Sequence, residues 1–230
     1  MIQVTRTKKP DVLVQNAENW TNEYLNAKQV YDNSKTLENK KNFQNIEKRY
    51  NHNEVKTSLK KMFEKKCAFC ESHIIHVDYG QIEHFMPKSK YPNLCFEWNN
   101  FLLSCSICNG KSNKGDKFPL DQEGGPFINP VDENPENYLK FEFDEITKTF
   151  LIFPKNDRAV TTIKELGLNR DDLVENRTIE LSKIVYMLDL VLDKNQDKVL
   201  EEFVNVFSEK DQYYAFIKAI FKKVKKENES

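Results

Sequence analysis

The cysteines of this chain are arranged in a pattern that can hold one metal ion. They form two CxxC pairs, Cys67 with Cys70 and Cys105 with Cys108. Each pair offers two sulfur ligands at the spacing that suits a tetrahedral ion, and two pairs complete a closed site with no open coordination position. We therefore expect a structural zinc ion, with empty cysteine pairs as the alternative. Cys95 stands outside the pattern between two apolar residues and is expected to be an ordinary buried cysteine.

The segment between the two pairs, residues 71–104, is longer than in an ordinary zinc ribbon. IEHFMPKS, WNNFLLSC and SICNGKSNKGDKFP resemble the motif of HNH nucleases of the zinc-ribbon kind. This resemblance implies a ββα-metal fold. It places Glu83 and His84 on the first strand, Asn100 in the following loop and Asn109 directly after the fourth cysteine of the pairs. The third letter of the motif is therefore Asn, a variant that HNH proteins also use.

The residue types at these positions suit the hydrolysis of a phosphodiester. The reaction needs a base that activates water, a cation for the leaving oxygen and relief of the charge on the phosphate. His84, with a pKa expected near neutrality, suits the base. Glu83 and Asn109 offer the hard oxygen ligands that Mg²⁺ or Mn²⁺ prefer. Asn100 is expected to tie the loop to the backbone.

One geometric condition applies to the first two of these residues. Consecutive residues of a regular strand point to opposite faces, so Glu83 and His84 cannot both face one site there. A bulge or a strand end would resolve this, or Glu83 would act mainly through its backbone. Taken alone, His84 could be a core or surface histidine, Glu83 a solvated charge and Asn109 a helix cap. Their joint spacing against the cysteines favours the nuclease.

Other polar residues near the motif have two interpretations. His73 and His76 could be additional metal ligands, although we expect exposed loop histidines. Four lysines surround the motif and could hold phosphates, or could simply be solvated: Lys88, Lys90, Lys111 and Lys114.

A wider series of segments resembles one family in particular. CAFCE, IEHFMPKSKYP, FEWNNFLLSCSICN, NKGDKFPL, FINP and TTIKELGLNRDDLVENR are similar to the PtuB-like HNH effectors of Septu and retron-associated anti-phage systems. In such systems PtuB works with PtuA, an ATPase that binds it and is thought to gate it. The resemblance therefore implies a PtuA-like partner. Either the acidic C-terminal part or the basic N-terminal helices could be the docking surface.

Helices are expected on both sides of the cysteine-rich segment. Residues 11–66 show helical periodicity, and NEVKTSLKKMFEKK places its apolar residues on one face. These residues are Val55, Leu59, Met62 and Phe63. Gly, Pro, Asn and Cys concentrate in residues 67–130, where the backbone must turn often.

The last part of the chain begins with strands and continues with helices. LKFEF and KTFLIF predict a hairpin around Asp144–Thr147. A long helix follows, capped by Asn169 or Asp171, and EEFVNVF and YYAFIKAIFKKV continue the helical pattern. The expected core positions of the long helix are Leu173, Ile179, Leu181, Ile184, Leu188 and Leu192.

Charge is unevenly distributed although the net charge is only -1. Residues 35–66 carry ten Lys or Arg against four Glu, a net charge of +6, and residues 121–230 carry -7. Such a distribution suits a chain that binds a polyanion through its basic segment and a protein through its acidic segment. On charge alone, however, we favour the alternative that both segments are solvent-exposed helix faces. The sequence has no apolar run of membrane length and no signal-peptide pattern at its start, and so predicts a soluble, cytoplasmic protein.

Together these features predict an α+β protein in three parts. A small zinc-ribbon-supported ββα-metal (HNH) core occupies residues 63–130, between an N-terminal helical region, 1–62, and a hairpin plus C-terminal helical region, 131–230. We expect an HNH endonuclease with structural Zn²⁺ and catalytic Mg²⁺ or Mn²⁺. It should cleave nucleic acid, DNA rather than RNA by default, as an anti-phage effector gated by a PtuA-like ATPase. The alternatives are an RNA-cleaving, toxin-like effector and a non-catalytic zinc-bound scaffold or binding module.

Overall fold

The computed structural model describes residues 1–74, 79–192 and 197–228. Its described strands form two separate antiparallel pairs among a larger number of helices, so the predicted α+β class is confirmed. The chain divides into two compact units. We call Val4–Lys65 with Ile74–Phe118 the motif unit, and Met1–Gln3, Lys66–His73 and Pro119–Ser230 the hairpin unit. The three-part division expected from the sequence stays a prediction.

Helices precede the strands in the motif unit. Two of them begin at side-chain caps: Thr36 accepts a hydrogen bond from the Asn39 amide, and His52 accepts one from the Glu54 amide. Such caps satisfy amide groups that have no partner within the helix. The described elements are α1 (Asp11–Asn33), α2 (Leu37–Glu47), a 3-10 turn (Lys48–Asn51), α3 (Asn53–Met62), β1 (Gln81–His84), β2 (Phe101–Ser104) and α4 (Ser106–Asn109).

The predicted apolar face of α3 is confirmed. Val55 and Leu59 are fully buried, and Met62 and Phe63 are nearly so. Each fully buried aliphatic side chain contributes about 1.5–3 kcal/mol through removal of its surface from water. Helix α3 packs on β2, whose residues are all buried. This packing fixes the strand pair that carries the motif.

Strands β1 and β2 pair in a regular antiparallel register. Gln81 lies opposite Ser104, and His84, the last residue of β1, lies opposite Phe101. Each residue between them has one partner, so the register contains no bulge. The strand ends at His84, so one of the conditions under which Glu83 and His84 can serve one site, a strand end, is met, whereas a bulge is not present.

The hairpin unit contains the second strand pair and the remaining helices. Asp144 closes the hairpin turn by accepting hydrogen bonds from the amide and the hydroxyl group of Thr147, which confirms the predicted hairpin. The described elements are β3 (Leu139–Asp144), β4 (Thr149–Pro154), α5 (Asp157–Glu165), α6 (Asp171–Leu192), α7 (Asp197–Val206) and α8 (Tyr214–Asn228).

Helix α6 differs from expectation at some of its core positions and at its N-terminal end. Leu173, Leu181 and Leu188 are buried as predicted. Ile184 and Leu192 are only partly buried, and Ile179 is about half exposed. Asn169 does not cap the helix, since its side chain exchanges hydrogen bonds with the backbone of Ile152 in β4. Within the described residues, no helix combines the length and the apolar character needed to cross a membrane.

Candidate functional site

The four paired cysteines come together. The Sγ atoms of Cys67, Cys70, Cys105 and Cys108 all lie within 4.8 Å of one another, and all four residues are buried. None of the cysteines is in a disulfide. Four sulfur ligands at this separation fit a tetrahedral metal ion such as zinc. Cys95 is buried, as predicted, and does not belong to this group.

Local hydrogen bonds support the sulfur ligands. Cys105 is the N-cap of α4, and its Sγ accepts a hydrogen bond from the Cys108 amide at 3.4 Å. The Sγ of Cys70 lies 3.4 Å from the hydroxyl group of Ser72. An amide donor such as that of Cys108 orients a sulfur ligand and stabilises its charge. Among the described residues His73 is not part of the cysteine group, and His76 lies outside the described residues.

His84 is held in one orientation at the end of β1. Its Nε2 lies 2.9 Å from the carbonyl oxygen of Cys95. Because a carbonyl oxygen can only accept, Nε2 must carry the proton of the neutral ring, and Nδ1 is then the unprotonated nitrogen. Among the described residues Nδ1 has no hydrogen-bond partner. The ring therefore presents one nitrogen as a potential base.

Burial changes the acid–base behaviour expected for His84. Removal from water lowers the pKa of His84 to about 3, although its hydrogen bond to Cys95 opposes this change. The pKa expected near neutrality is therefore wrong for the protein without substrate. The physical reason is that only 6% of the residue is exposed, and a buried ring disfavours its charged form. His84 is neutral at physiological pH.

Glu83 is buried in β1 and is paired with a cation. Its Oε1 lies 2.5 Å from the Nζ of Lys114. Burial raises the pKa of Glu83 to about 7, against the opposing attraction of Lys114. The carboxyl group is thus able to change its protonation state close to neutral pH.

Lys114 is placed differently from the expectation of a phosphate-binding surface lysine. Its side chain is fully buried, and its Nζ also donates a hydrogen bond to the carbonyl oxygen of His84 at 3.0 Å. The turn after α4 causes this, because the Lys114 amide bonds back to the carbonyl oxygen of Cys108. The ammonium group therefore faces β1. Lys90 and Lys111 are exposed, and Lys88 is partly buried.

The two motif asparagines have different surroundings. Asn100 is buried, and its side chain exchanges hydrogen bonds with the backbone of Met86, accepting at 2.8 Å and donating at 2.9 Å. Asn109 donates its amide hydrogen to the Oε1 of Gln81 at 2.7 Å. Its Oδ1 has no hydrogen-bond partner among the described residues, so this oxygen is available to bind a cation. The carboxylate of Glu83 and this amide oxygen fit the donor preference of Mg²⁺ or Mn²⁺.

One neighbour of His84 was not found from the sequence. Tyr50, in the 3-10 turn before α3, packs edge-on against the His84 ring with centroids 4.6 Å apart. The Nζ of Lys88 lies 5.4 Å from the centroid of the Tyr50 ring. No local pattern indicates this contact, because Tyr50 precedes the cysteine-rich segment and lies outside the motif.

Comparison with known proteins gives relatives that are named as components of Septu and retron systems. No family model matches the chain. It is 33% identical over 141 residues to a Septu protein PtuB of Bacillus thuringiensis, with 60% of this chain and 51% of that protein covered. It is 33% identical over 166 residues to a Septu protein PtuB of Bacillus mycoides, with 59% and 55% covered. It is also 30% identical over 128 residues to a retron Vc95 protein of Vibrio cholerae named as a candidate HNH endonuclease, with 53% and 60% covered.

The names of these relatives are those of the family that the sequence segments resemble. The chain spans about half the length of the curated PtuB proteins that it matches. The similarity therefore concerns part of those proteins, and it includes relatives from Septu and retron systems. The predicted resemblance to the PtuB-like HNH effectors is confirmed.

Proposed function

We propose that this chain is a metal-dependent HNH endonuclease that hydrolyses phosphodiester bonds of nucleic acid, with DNA as its substrate. In this proposal β1, the following loop, β2 and α4 form the ββα-metal core, and the four paired cysteines hold structural Zn²⁺. His84 is the base, and Glu83 and Asn109 are the ligands of a catalytic Mg²⁺ or Mn²⁺. The similarity to a candidate HNH endonuclease supports the class of reaction.

The observation that carries the proposal is the tautomer of His84. The hydrogen bond from Nε2 to the carbonyl oxygen of Cys95 leaves Nδ1 as the nitrogen that can accept a proton from water. Nδ1 is not among the fully buried side-chain atoms that lack a partner in the described residues, so this unpartnered nitrogen remains accessible to water. A water positioned at Nδ1 would give this nitrogen a partner and would be activated by it.

Substrate binding would strengthen this base. The lowered pKa of His84 makes it a weak proton acceptor in the free protein. A bound phosphodiester brings a negative charge next to the ring, and a nearby anion favours the protonated imidazole. The pKa of His84 would therefore rise when substrate binds. The base would become effective in the complex in which it is needed.

The remaining residues would hold the metal, the loop and the phosphate backbone. A divalent cation at Glu83 and Asn109 would stabilise the charge that develops on the phosphate and the leaving oxygen. Asn100 would keep the loop after β1 in place through its bonds to Met86. Three of the four predicted lysines would contact the phosphate backbone: Lys88, Lys90 and Lys111. Lys114 is left out because it is bound to Glu83.

We further propose that the protein is a cytoplasmic anti-phage effector gated by a PtuA-like ATPase. Two of its relatives are named Septu protein PtuB, and this supports a partner of that kind. Sequence specificity would be weak or supplied by the partner, because phosphate contacts carry no direct sequence information.

The direct test compares substrates in the presence of the partner. Supercoiled plasmid DNA and total RNA are incubated with the protein, the ATPase and ATP, with Mn²⁺, with Mg²⁺ or with neither. We expect nicked or linear DNA only when a divalent cation is present. Asn109→Ala should lose cleavage, whereas Asn113→Ala, in the turn that follows α4, should keep it. Cleavage of RNA alone would replace DNA as the substrate, and metal-independent cleavage would contradict the proposed chemistry.

A further inference from the structure

In this structure the Glu83 carboxylate is paired with a cation of the chain itself, the ammonium group of Lys114. The Nζ of Lys114 lies 2.5 Å from the Glu83 Oε1. It also lies 3.0 Å from the carbonyl oxygen of His84, so it contacts both β1 residues of the motif. The side chain of Lys114 is 0% exposed and that of Glu83 is 4% exposed. Oxygen atoms from two consecutive residues thus hold one positive charge away from solvent.

The backbone fixes the position of this ammonium group. After α4, the Lys114 amide donates to the carbonyl oxygen of Cys108 at 3.2 Å, and the Lys117 amide donates to the carbonyl oxygen of Lys114 at 2.8 Å. Gly115 follows with φ +46, and a Cβ atom there would lie 3.1 Å from the Cα of Lys111. A side chain at Gly115 would therefore be strained and crowded. These hydrogen bonds and the conformation of Gly115 define the turn from which the Lys114 side chain extends to β1.

A second cation at Glu83 would meet this ammonium group at close range. Two positive charges that share one carboxylate repel each other, and burial strengthens the repulsion because little water screens it. The proposed function requires a divalent cation at the same carboxylate. Lys114 must then either leave Glu83 or oppose the ion that arrives.

We infer that Lys114 competes with the divalent cation for the Glu83 carboxylate and thereby sets the metal affinity of the site. This inference rests on the proposed function, since it takes Glu83 to be a metal ligand. It gives Lys114 a role other than phosphate binding. It also predicts the sign of a change: removal of the ammonium charge tightens metal binding.

The test measures binding of Mn²⁺ to the zinc-loaded full-length protein by electron paramagnetic resonance, without substrate and therefore without cleavage. Lys114→Gln removes the charge and keeps a hydrogen-bond donor for the His84 carbonyl oxygen. We expect it to bind Mn²⁺ about tenfold or more tightly than wild type. Lys117→Gln removes the same charge three residues away and should change the affinity by less than about twofold. Equal or weaker binding by a folded Lys114→Gln variant would overturn the inference.

A measurement on the wild type keeps the test decisive if Lys114→Gln does not fold. Acetylation of lysines by an amine-reactive reagent is followed by mass spectrometry with and without Mn²⁺. Competition predicts that Mn²⁺ raises the labelling of Lys114 relative to Lys117, because the ion frees the ammonium group. No rise at a saturating Mn²⁺ concentration would overturn the inference.

A third variant separates this inference from the proposed function. Glu83→Gln should weaken Mn²⁺ binding if Glu83 is a metal ligand. If it does so while Lys114→Gln has no effect, only the competition is wrong. If Glu83→Gln leaves Mn²⁺ binding unchanged, the proposed metal site itself is wrong.

Discussion

The phenol ring of Tyr50 stands perpendicular to the imidazole of His84, with the ring centroids 4.6 Å apart and the planes at 84°. Phe101 packs against the same imidazole at 5.0 Å and 90°. With the hydrogen bond to the carbonyl oxygen of Cys95, these contacts fix the His84 ring. The N-terminal helices of the motif unit therefore help to orient the proposed base, although the motif itself lies much later in the chain.

Loss of the Tyr50 ring should impair catalysis more than substrate binding. Tyr50→Ala is expected to lower kcat about 10- to 100-fold, because a small displacement of a catalytic group has effects of this size. KM should change little, since Tyr50 acts through His84. Thermal unfolding should show a loss of about 2 kcal/mol from the cavity. Tyr50→Phe keeps the ring and should retain both activity and stability; a loss with Phe as large as with Ala would show that the hydroxyl group matters instead.

Zinc content should follow the four paired cysteines. Wild type is expected to contain one zinc ion per chain, and Cys105→Ser should lose it and unfold at a lower temperature, because metal binding contributes to folding. Atomic absorption and thermal unfolding measure both effects. Cys95→Ala is the matched control, since Cys95 is buried but outside the group. Loss of zinc from Cys95→Ala alone, or zinc retained by Cys105→Ser, would contradict the assignment.

Metal affinity should depend on pH through Glu83. The pKa of Glu83 is raised to about 7, so its carboxyl group takes up a proton as the pH falls through that value. Protons then compete with the metal, and Mn²⁺ affinity should fall about tenfold for each pH unit below 7. His84 cannot produce this slope, because its pKa of about 3 keeps it neutral there. Calorimetric titration of wild type and Glu83→Gln checks this; the same slope in both would rule out Glu83.

Asn100 should stabilise the fold through its side-chain hydrogen bonds to the backbone of the loop after β1. Asn100→Ala removes the hydrogen bonds to both the amide and the carbonyl group of Met86. The unpaired polar groups left behind should lower the free energy of unfolding by about 2 kcal/mol. Denaturant titration measures the change. Asn99→Ala, at the exposed neighbouring position, should change it by less than about 0.5 kcal/mol. Equal effects at the two positions would argue against a specific role for Asn100.

The sequence predicted best those features that depend on short-range spacing. The two cysteine pairs, the hairpin closed by Asp144 and the apolar face of α3 follow from residue types a few positions apart. Each needs only local geometry to form. The sequence also predicted that the two cysteine pairs lie close together. A shared metal ion needs both pairs, whatever the length of the segment that separates them.

Apart from the proximity of the cysteine pairs, features set by tertiary contact were not predicted. The pKa of His84 depends on how completely the ring is buried, and the packing of Tyr50 on it depends on where the 3-10 turn lies. Lys114 could not be distinguished from an exposed lysine because the turn that directs it inward is formed by the folded backbone. Ile179 fits the apolar periodicity of α6, yet the packed face of the helix excludes it.

The central claim, that His84 is the base of a nuclease, is tested most directly by cleavage assays of His84→Ala and His52→Ala with the ATPase partner, ATP and Mn²⁺. His52 caps α3 and has no proposed part in the chemistry. We predict that His84→Ala cleaves at least about 100-fold more slowly than wild type while retaining its zinc and its fold, and that His52→Ala cleaves normally. Cleavage by folded His84→Ala at the wild-type rate would contradict the account.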